Sequence, residues 1–227
     1  MSHLFLVMLG GRHARANTEV HDVVFAVADS LEESYPQLKN AWFGEQKGLH
    51  IDAWMKINSV ESEGQFYQVS LSSTVPEANA PKLFLINLGG YDAREFGELH
   101  RYLLVVARDA IQAKQLGKQY FDHNWQKPHT DRVLEVDDCI ALEQVENRYV
   151  HLTLTTHQEN EWQNTYPNLG DLSGLEQGID QTIHKGVGLI PNSSQITLED
   201  QVIRPTISAM MPLYTGGLTS SAKQVAN

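Results

Sequence analysis

The chain has 227 residues, of which 41% are hydrophobic and 20% charged, which is typical of a globular protein with one sizeable core or two small ones. Its formal net charge of −11, without any run of Lys or Arg, argues against nucleic acid as a partner, because such binding needs clustered cations. No apolar run approaches the ~20 residues of a membrane-spanning helix, and the single Cys139 cannot form an intramolecular disulfide, so we expect a cytoplasmic protein without a membrane partner.

The first predicted element is LFLVMLGG at residues 4–11, an apolar run that ends in two glycines and favours a buried strand. With the segment ARA at residues 14–16 behind it, the run is also typical of a secretory signal peptide. Against that interpretation, LFLINLGG recurs inside the chain at residues 83–90, and a cleaved leader has no reason to recur. We therefore expect residues 4–11 to be folded structure.

The next elements alternate between strand and helix patterns. Valine-rich runs at residues 23–28 and 102–107 favour strands. Residues 109–121 predict a helix with Asp109 as its N-cap. Residues 30–43 predict another helix, which Pro36 either bends or divides. Further strands are predicted at IDAWMKINSV (51–60), FYQVSLSS (66–73), TDRVLEVDDCIAL (130–142) and RYVHLTLTT (148–156).

An internal repeat is the strongest pattern in the sequence. Gly10 aligns with Gly89, 79 residues further on, and the alignment holds without a gap over about fifty residues. The two copies agree at Leu4/Leu83, Phe5/Phe84, Leu6/Leu85, Leu9/Leu88, Gly10/Gly89, Gly11/Gly90, Ala14/Ala93, Arg15/Arg94, Glu19/Glu98, His21/His100, Val27/Val106, Ala28/Ala107, Lys39/Lys118, His50/His129 and Asp52/Asp131.

The repeat predicts an α+β fold in which a tandem duplication of a β-β-α-β-β unit forms one pseudo-symmetric body with a C-terminal extension. The first repeat is expected over residues 1–76, the second over 82–156 and the extension over 157–227. Within the extension, residues 171–183 predict a helix and the tail from about Gly216 is expected to be loose.

The stretch LFLVMLGGRHARANTEVHDVVFAVADSLEESYPQLKNAWFGEQKGLHIDAW, its shorter echo, and the segments KPHTD (127–131) and VDDC (136–139) resemble family 1543 of the bacterial domains of unknown function. The resemblance extends over about residues 3–155. It implies a cytoplasmic bacterial protein without an assigned reaction, so no catalytic residues follow from it.

A polar pattern recurs in both copies: Gly-Gly-x3-Arg-x3-Glu-x-His and, after the helix, His-x-Asp. A right-handed crossover would bring the two strand starts to one sheet edge, and residues two apart on a strand share a face. We therefore expect one polar cluster in each copy. Its members are Arg15, Glu19, His21, His50 and Asp52 in the first copy, and Arg94, Glu98, His100, His129 and Asp131 in the second.

Three interpretations of this cluster stay open. It can be a hydrogen-bond network that only supports the fold, or a small-ligand site in which an arginine clamps a carboxylate or phosphate. It can also be a zinc, iron or manganese site with His21, His50 and Asp52 as ligands. The first copy is the preferred site because its loops carry more polar groups. No cofactor is assigned.

The leading functional hypothesis is a non-enzymatic binding or interaction module whose partner is a small molecule or a protein, with a homo-oligomer also open. The alternative is a metal-dependent hydrolase in which Glu19 acts as general base, so the sequence leaves enzymatic activity undecided. Cys139, beside carboxylates expected to raise its pKa, is predicted to be a packed strand residue and not a nucleophile. Trp42 and Trp54 are predicted to belong to the core.

Overall fold

The computed structural model describes residues 1–91, 96–119, 135–156, 159–164, 169 and 184–186. Within these ranges antiparallel strands dominate and the helices are short, so the fold is mixed α+β and mainly β. The helical elements are a 3-10 turn at Glu32–Ser34 and the helices α1 (Tyr35–Ala41) and α2 (Ala110–Gln119). The strands are β1 (His3–Gly11), β2 (Val20–Ala28), β3 (His50–Ile57), β4 (Ser59–Ser62), β5 (Gln65–Ser72), β6 (Lys82–Gly90), β7 (Leu99–Ala107), β8 (Glu135–Ala141), β9 (Gln144–Val145), β10 (Arg148–Thr155), β11 (Asn160–Asn164) and β12 (His184–Gly186).

The first sheet has the strand order β12-β11-β3-β1-β2, with antiparallel neighbours throughout. Since β2 and β3 both run antiparallel to β1, they run parallel to each other and begin at the same end of the sheet. Gly10 of β1 lies opposite His21 on one side and His50 on the other. The predicted helical crossover from β2 to β3 is present, but β2 and β3 are not adjacent, because β1 lies between them in the sheet.

The second sheet, β7-β6-β8, repeats this arrangement. Gly89 of the central strand β6 lies opposite His100 of β7 and opposite Glu135 of β8. The pairing of β6 with β8 shifts register between Asn87 and Leu88, and the pairing of β1 with β3 shifts between Met8 and Leu9. Both central strands therefore carry a glycine with a histidine opposite it and an irregularity just before it.

A third sheet has the strand order β4-β5-β10-β9. The hairpins predicted at residues 51–73 and 130–156 form only in part: the strand predicted at 51–60 divides into β3 and β4, of which β4 pairs with β5, and β10 pairs with the short β9 while β8 joins the second sheet. The middle pair of the third sheet is β5 with β10, which aligns Val69 with Leu152. Ser62, at the end of β4, donates a 3.0 Å hydrogen bond to the carbonyl of Val106 in β7. The hairpin of the first half thus contacts the second sheet directly.

The alternation of β1 and β6 divides the core. On one face, Leu4 and Leu6 pack together with Leu83 and Leu85 in a single apolar cluster that also receives residues from the third sheet. On the other face, β1 packs against α1 with Phe5, Val7, Leu9, Leu38 and Trp42, and β6 packs against α2 with Phe84, Ile86, Leu88 and Ala113. Complete burial of one such aliphatic or aromatic side chain contributes about 1.5–3 kcal/mol. Both faces of the central strands are apolar for this reason.

The helix predictions are confirmed within the described ranges. The Asp109 carboxylate accepts a 2.8 Å hydrogen bond from the backbone N–H of Gln112, as expected of an N-cap. Pro36 lies in the first turn of α1, after the 3-10 turn, so it begins a second short helix instead of bending one long helix. No helix of the described part of the chain is long and apolar enough to cross a membrane.

Part of the segment after residue 157 belongs to the first sheet, because β11 pairs with β3. Leu169 is 1% exposed, and its N–H donates to the carbonyl of Leu49 over 2.7 Å. Leu169 therefore belongs to the apolar layer around α1, whereas Trp162 of β11 packs against the core shared by the sheets. The helix predicted at residues 171–183 and the tail from Gly216 lie outside the described residues.

A buried asparagine fixes the junction between the first and third sheets. The Asn160 amide oxygen accepts hydrogen bonds from the backbone N–H groups of Asn58, at 2.7 Å, and Ser59, at 2.9 Å. Its amide nitrogen donates to the carbonyl of Ser59 over 2.8 Å. These backbone groups lie where the chain passes from β3 into β4. The Asn160 side chain therefore provides hydrogen-bond partners for the backbone at the step from the first sheet to the third.

We predict that Asn160→Ala lowers the free energy of unfolding by about 2–4 kcal/mol, because it leaves several buried polar backbone groups without partners. Asn164→Ala is the matched control, since Asn164 is an exposed residue at the end of the same strand and should change stability by less than about 0.5 kcal/mol. Urea unfolding of both variants measures the difference. Equal losses in the two variants would contradict the role given to Asn160.

Candidate functional site

Four of the predicted side chains lie together at the Gly10 end of the first sheet: Glu19, His21, His50 and Asp52. We call them the Gly10 cluster. Glu19 directly precedes β2, His21 is the second residue of β2, and His50 is the first residue of β3. Their meeting point follows from the register, since one glycine lies opposite both histidines.

His50 is the buried centre of the Gly10 cluster, with a side chain that is only 3% exposed. Its Nδ1 lies 2.9 Å from the carbonyl oxygen of Gly48; because a carbonyl can only accept, Nδ1 carries a hydrogen there. The other nitrogen, Nε2, lies 2.7 Å from Oε1 of Glu19 and 3.3 Å from Oδ1 of Asp52. Both carboxylates therefore lie within ion-pair distance of the His50 ring.

Folding perturbs the ionisation of Asp52. Burial raises the pKa of its carboxyl above the ordinary value of 3.8, and nearby Glu19 adds to the effect, while His50 and His21 oppose it. Its Oδ2 lies 3.2 Å from Nε2 of His21. Yet this buried oxygen accepts no hydrogen bond from the residues that the structure describes.

A β-bulge gives Asp52 its position. Leu9 pairs with Ile51 and Met8 pairs with Ala53, so Asp52 is the extra residue between them. Such a bulge re-aims one side chain while the strand continues its alternation on either side. Asp52 therefore faces His50, and Met55 still reaches the shared apolar core.

Gly10 gives the cluster its space. A Cβ atom on Gly10 would overlap the Asp52 carboxylate, lie 2.5 Å from Nε2 of His50 and lie 3.1 Å from Oε1 of Glu19. The glycine is therefore required by close approach of side chains to the strand, not by an unusual backbone conformation. The next residue, Gly11, is instead covered by the ring of Trp42.

Arg15 is not part of the cluster. It is exposed in the loop after β1, where its backbone N–H donates to Nδ1 of His13 over 3.2 Å. Its guanidinium forms no ion pair with any carboxylate of the described ranges. The predicted clamp of a carboxylate or phosphate by this arginine therefore has no geometric support from the cluster.

A related arrangement occurs at Gly89 in the second half. Nδ1 of His100 lies 3.4 Å from Oδ2 of Asp137, and a Cβ on Gly89 would lie 2.6 Å from Oε1 of Glu98 and overlap the Asp137 carboxylate. Of the predicted members in this copy, Arg94, His129 and Asp131 lie outside the described residues.

Asp137 is a residue that the sequence analysis missed. Gly89 pairs with Glu135 and Asn87 pairs with Asp138, so Asp137 is the extra residue of a bulge in β8. It follows Asp52 by 85 residues, whereas the ungapped alignment uses an offset of 79 and leads to Asp131. The similarity of EVD at 135–137 to HID at 50–52 was the available signal, and it requires a six-residue gap after the helix.

Two other chemical predictions concern metals and Cys139. Among the described residues, no group of three or more His, Cys, Asp or Glu side chains is arranged to hold a metal ion. Cys139 packs against α2, with Sγ 3.9 Å from the carbonyl of Ala110. The pKa of its thiol is raised, mainly by burial and not by the neighbouring carboxylates that the sequence suggested, while Lys114 opposes the shift. A raised pKa disfavours the thiolate that a nucleophile needs.

Comparison with known proteins places the chain in a family. Residues 16–71 match the model of the Domain of Unknown Function (DUF1543), a shorter range than the expected 3–155. The crystal structure of a protein Il1583 from Idiomarina loihiensis is 31% identical to the chain, with a TM-score of 0.56, and the match covers 75% of this chain and 100% of that one. No curated protein matches the chain. The chain belongs to the DUF1543 family.

Proposed function

We propose that the chain is a non-enzymatic binding module and that the Gly10 cluster is its ligand site, which takes a small molecule bearing an ammonium or guanidinium group. One observation carries the proposal: the buried Oδ2 of Asp52 accepts no hydrogen bond from the described residues. A buried acceptor without a donor costs about 1–3 kcal/mol, and a ligand N–H placed against it would remove that cost.

The exposure of the cluster is consistent with such a ligand. The side chains of His21 and Glu19 are 51% and 44% exposed and that of Asp52 is 26% exposed, so a ligand can approach the cluster from solvent, and its contact with the buried Oδ2 requires a shift of the Asp52 or His21 side chain. Ammonium and guanidinium groups form charge-assisted hydrogen bonds with carboxylates and offer several N–H donors at once. His50, which is buried, holds the two carboxylates in place from below.

We also infer that residues 1–76 and 82–156 are two copies of one β-β-α-β-β unit, to which residues 157–227 add an extension. The matching registers around Gly10 and Gly89 support this, as does the bulge in the third strand of each half. A bacterial cytoplasmic location is part of the same proposal; the bacterial source rests on the family resemblance, and the cytoplasmic location rests on that resemblance and on the single Cys139.

A metal-dependent hydrolase is the second candidate. The contact of Nδ1 of His50 with a backbone carbonyl is typical of a metal-binding imidazole, because it fixes the tautomer and leaves Nε2 for the metal. His21, His50 and Asp52 would be the ligands and Glu19 the general base. This candidate ranks second because Oε1 of Glu19 already contacts His50 and no described group is arranged to hold a metal.

A titration with simple cations tests the binding site. We expect methylguanidinium and methylammonium to shift the backbone amide NMR signals of Gly10 and His21, whereas tetramethylammonium, which has the charge but no N–H donors, leaves them unchanged. Asp52→Asn should weaken the methylguanidinium effect roughly tenfold or more, since one charge-assisted hydrogen bond is lost.

The matched control is Glu61→Gln, which removes the charge of an exposed carboxylate on β4. It should leave the titration unchanged. Zinc chloride, added with and without a chelator, forms a separate arm of the experiment. Saturable shifts with zinc but none with methylguanidinium would overturn the proposal in favour of the metal-dependent alternative.

A second prediction concerns pH. Because the pKa of Asp52 is raised by folding, the folded protein holds this proton more tightly than the unfolded chain at pH values between 3.8 and the raised pKa. The ionised carboxylate therefore lowers stability at neutral pH, and this loss disappears as the pH falls through the raised pKa. We expect the stability of Asp52→Asn relative to the natural chain to be highest near neutral pH and to decline on acidification.

Urea unfolding at several pH values, from about 7.5 to about 3, measures this trend. Asp29→Asn provides a control of opposite sign, because the ammonium of Met1 and the hydroxyl of Ser2 lower the pKa of Asp29 by hydrogen bonding. Its stability relative to the natural chain should be lowest near neutral pH and rise on acidification. The same trend in both variants would contradict the assignment for Asp52.

A third prediction concerns Gly10. Gly10→Ala should lower the free energy of unfolding by about 1–3 kcal/mol, since the new methyl group would overlap the Asp52 carboxylate and the ring of the buried His50. The test is a double-mutant cycle with His50→Ala, measured by urea unfolding. We expect Gly10→Ala to be less harmful once the ring is absent. Additivity within about 0.5 kcal/mol would contradict the overlap.

A further inference from the structure

We infer that the chain has a second ligand site of the same chemical class, formed at Gly89 by Glu98, His100 and Asp137, so that it binds two cationic groups per molecule. This inference rests on the function proposed for the Gly10 cluster. It adds Asp137 to the site residues, and it gives the second half of the chain the same kind of function as the first. We call these three side chains the Gly89 cluster.

The backbone arrangement is the first argument. Gly89 lies opposite His100 in β7, as Gly10 lies opposite His21 in β2. A glutamate stands two positions before each histidine. A Cβ on Gly89 would overlap the Asp137 carboxylate and lie 2.6 Å from Oε1 of Glu98. The two carboxylates therefore converge over the glycine.

The bulge is the second argument, and it is independent of the glycine. A bulge at an equivalent position of β8 turns Asp137 toward His100, whose Nδ1 lies 3.4 Å from Oδ2 of the aspartate. Bulges occur preferentially where a side chain must be re-aimed, often beside functional sites. Two halves that keep both the bulge and the aspartate on it point to a shared use of that carboxylate.

Charge is the third argument. In the Gly10 cluster the buried His50 lies between the two carboxylates, 2.7 Å from Glu19 and 3.3 Å from Asp52. In the Gly89 cluster, Glu98 forms no ion pair with any residue of the described ranges, and His100 contacts Asp137 at the longer distance of 3.4 Å. Among the described residues, the carboxylates at Gly89 thus make one contact with an imidazole, whereas those at Gly10 make three, and an external cation would supplement this smaller set.

The test is an NMR titration of the full chain with methylguanidinium chloride, which follows the backbone amides of Gly89 and His100 separately from those of Gly10 and His21. We expect both sets to shift and saturate. Asp137→Asn should weaken the response at Gly89 roughly tenfold or more and leave the response at Gly10 unchanged. Asp131→Asn, at the position that the ungapped repeat alignment selects, is the matched control and should leave both responses within about twofold.

The outcomes separate this inference from the proposed function. Saturable shifts at Gly10 without any at Gly89 would overturn the second site and leave the first standing. Loss of the Gly89 response in Asp131→Asn but not in Asp137→Asn would overturn the assignment of Asp137. No shift at either glycine would overturn both proposals.

A readout without ligand checks the geometry by itself. The imidazole NMR signals of His100 at one fixed pH should change position in Asp137→Asn and stay unchanged in Asp131→Asn, because Oδ2 of Asp137 lies 3.4 Å from Nδ1 of His100. Unchanged His100 signals in Asp137→Asn would overturn the arrangement on which the second site depends.

Discussion

The register of a central strand is the constraint on which the Gly10 cluster depends. Residues 4–10 of β1 are paired with a strand on each side, and at Gly10 both partners are histidines. A side chain at this position would occupy the space in which the Asp52 carboxylate lies. The absence of a Cβ atom, repeated at Gly89 with Asp137, is therefore what permits polar groups to gather over a strand whose other residues are almost all apolar and buried.

The cluster is not explained by stability alone. Burial raises the pKa of Asp52, which means that the fold disfavours its ionised form, although a network that only supported the fold would be expected to favour it. Nδ1 of the buried His50 ring is hydrogen-bonded to the Gly48 carbonyl, whereas Oδ2 of Asp52 accepts no hydrogen bond from the described residues. Local conflicts of this kind are what the proposed binding role predicts, because residues kept for binding need not be the most stable choice for the fold.

Much of this arrangement is predictable from the sequence, and the failures have physical causes. Alternation and the Gly-Gly ends predict the buried central strands, and the spacing of Glu19, His21, His50 and Asp52 predicts that they meet. Asp137 was missed because strand pairing, not sequence offset, decides which residue faces the glycine. The strand β11 was missed because its polar sequence NEWQN lacks an apolar alternation, and its position depends on pairing with β3 and on the bonds of Asn160.

The two clusters share a backbone plan and differ in one residue type. The position opposite the central glycine on the third strand is histidine at residue 50 and glutamate at residue 135. Because the glycine, the bulge and the register are properties of the backbone, this position can change without a change of fold. If the two halves are copies of one unit, as we propose, each can keep this backbone plan while the residue type opposite the glycine changes, and the two proposed sites can then differ in affinity for ligands of one class.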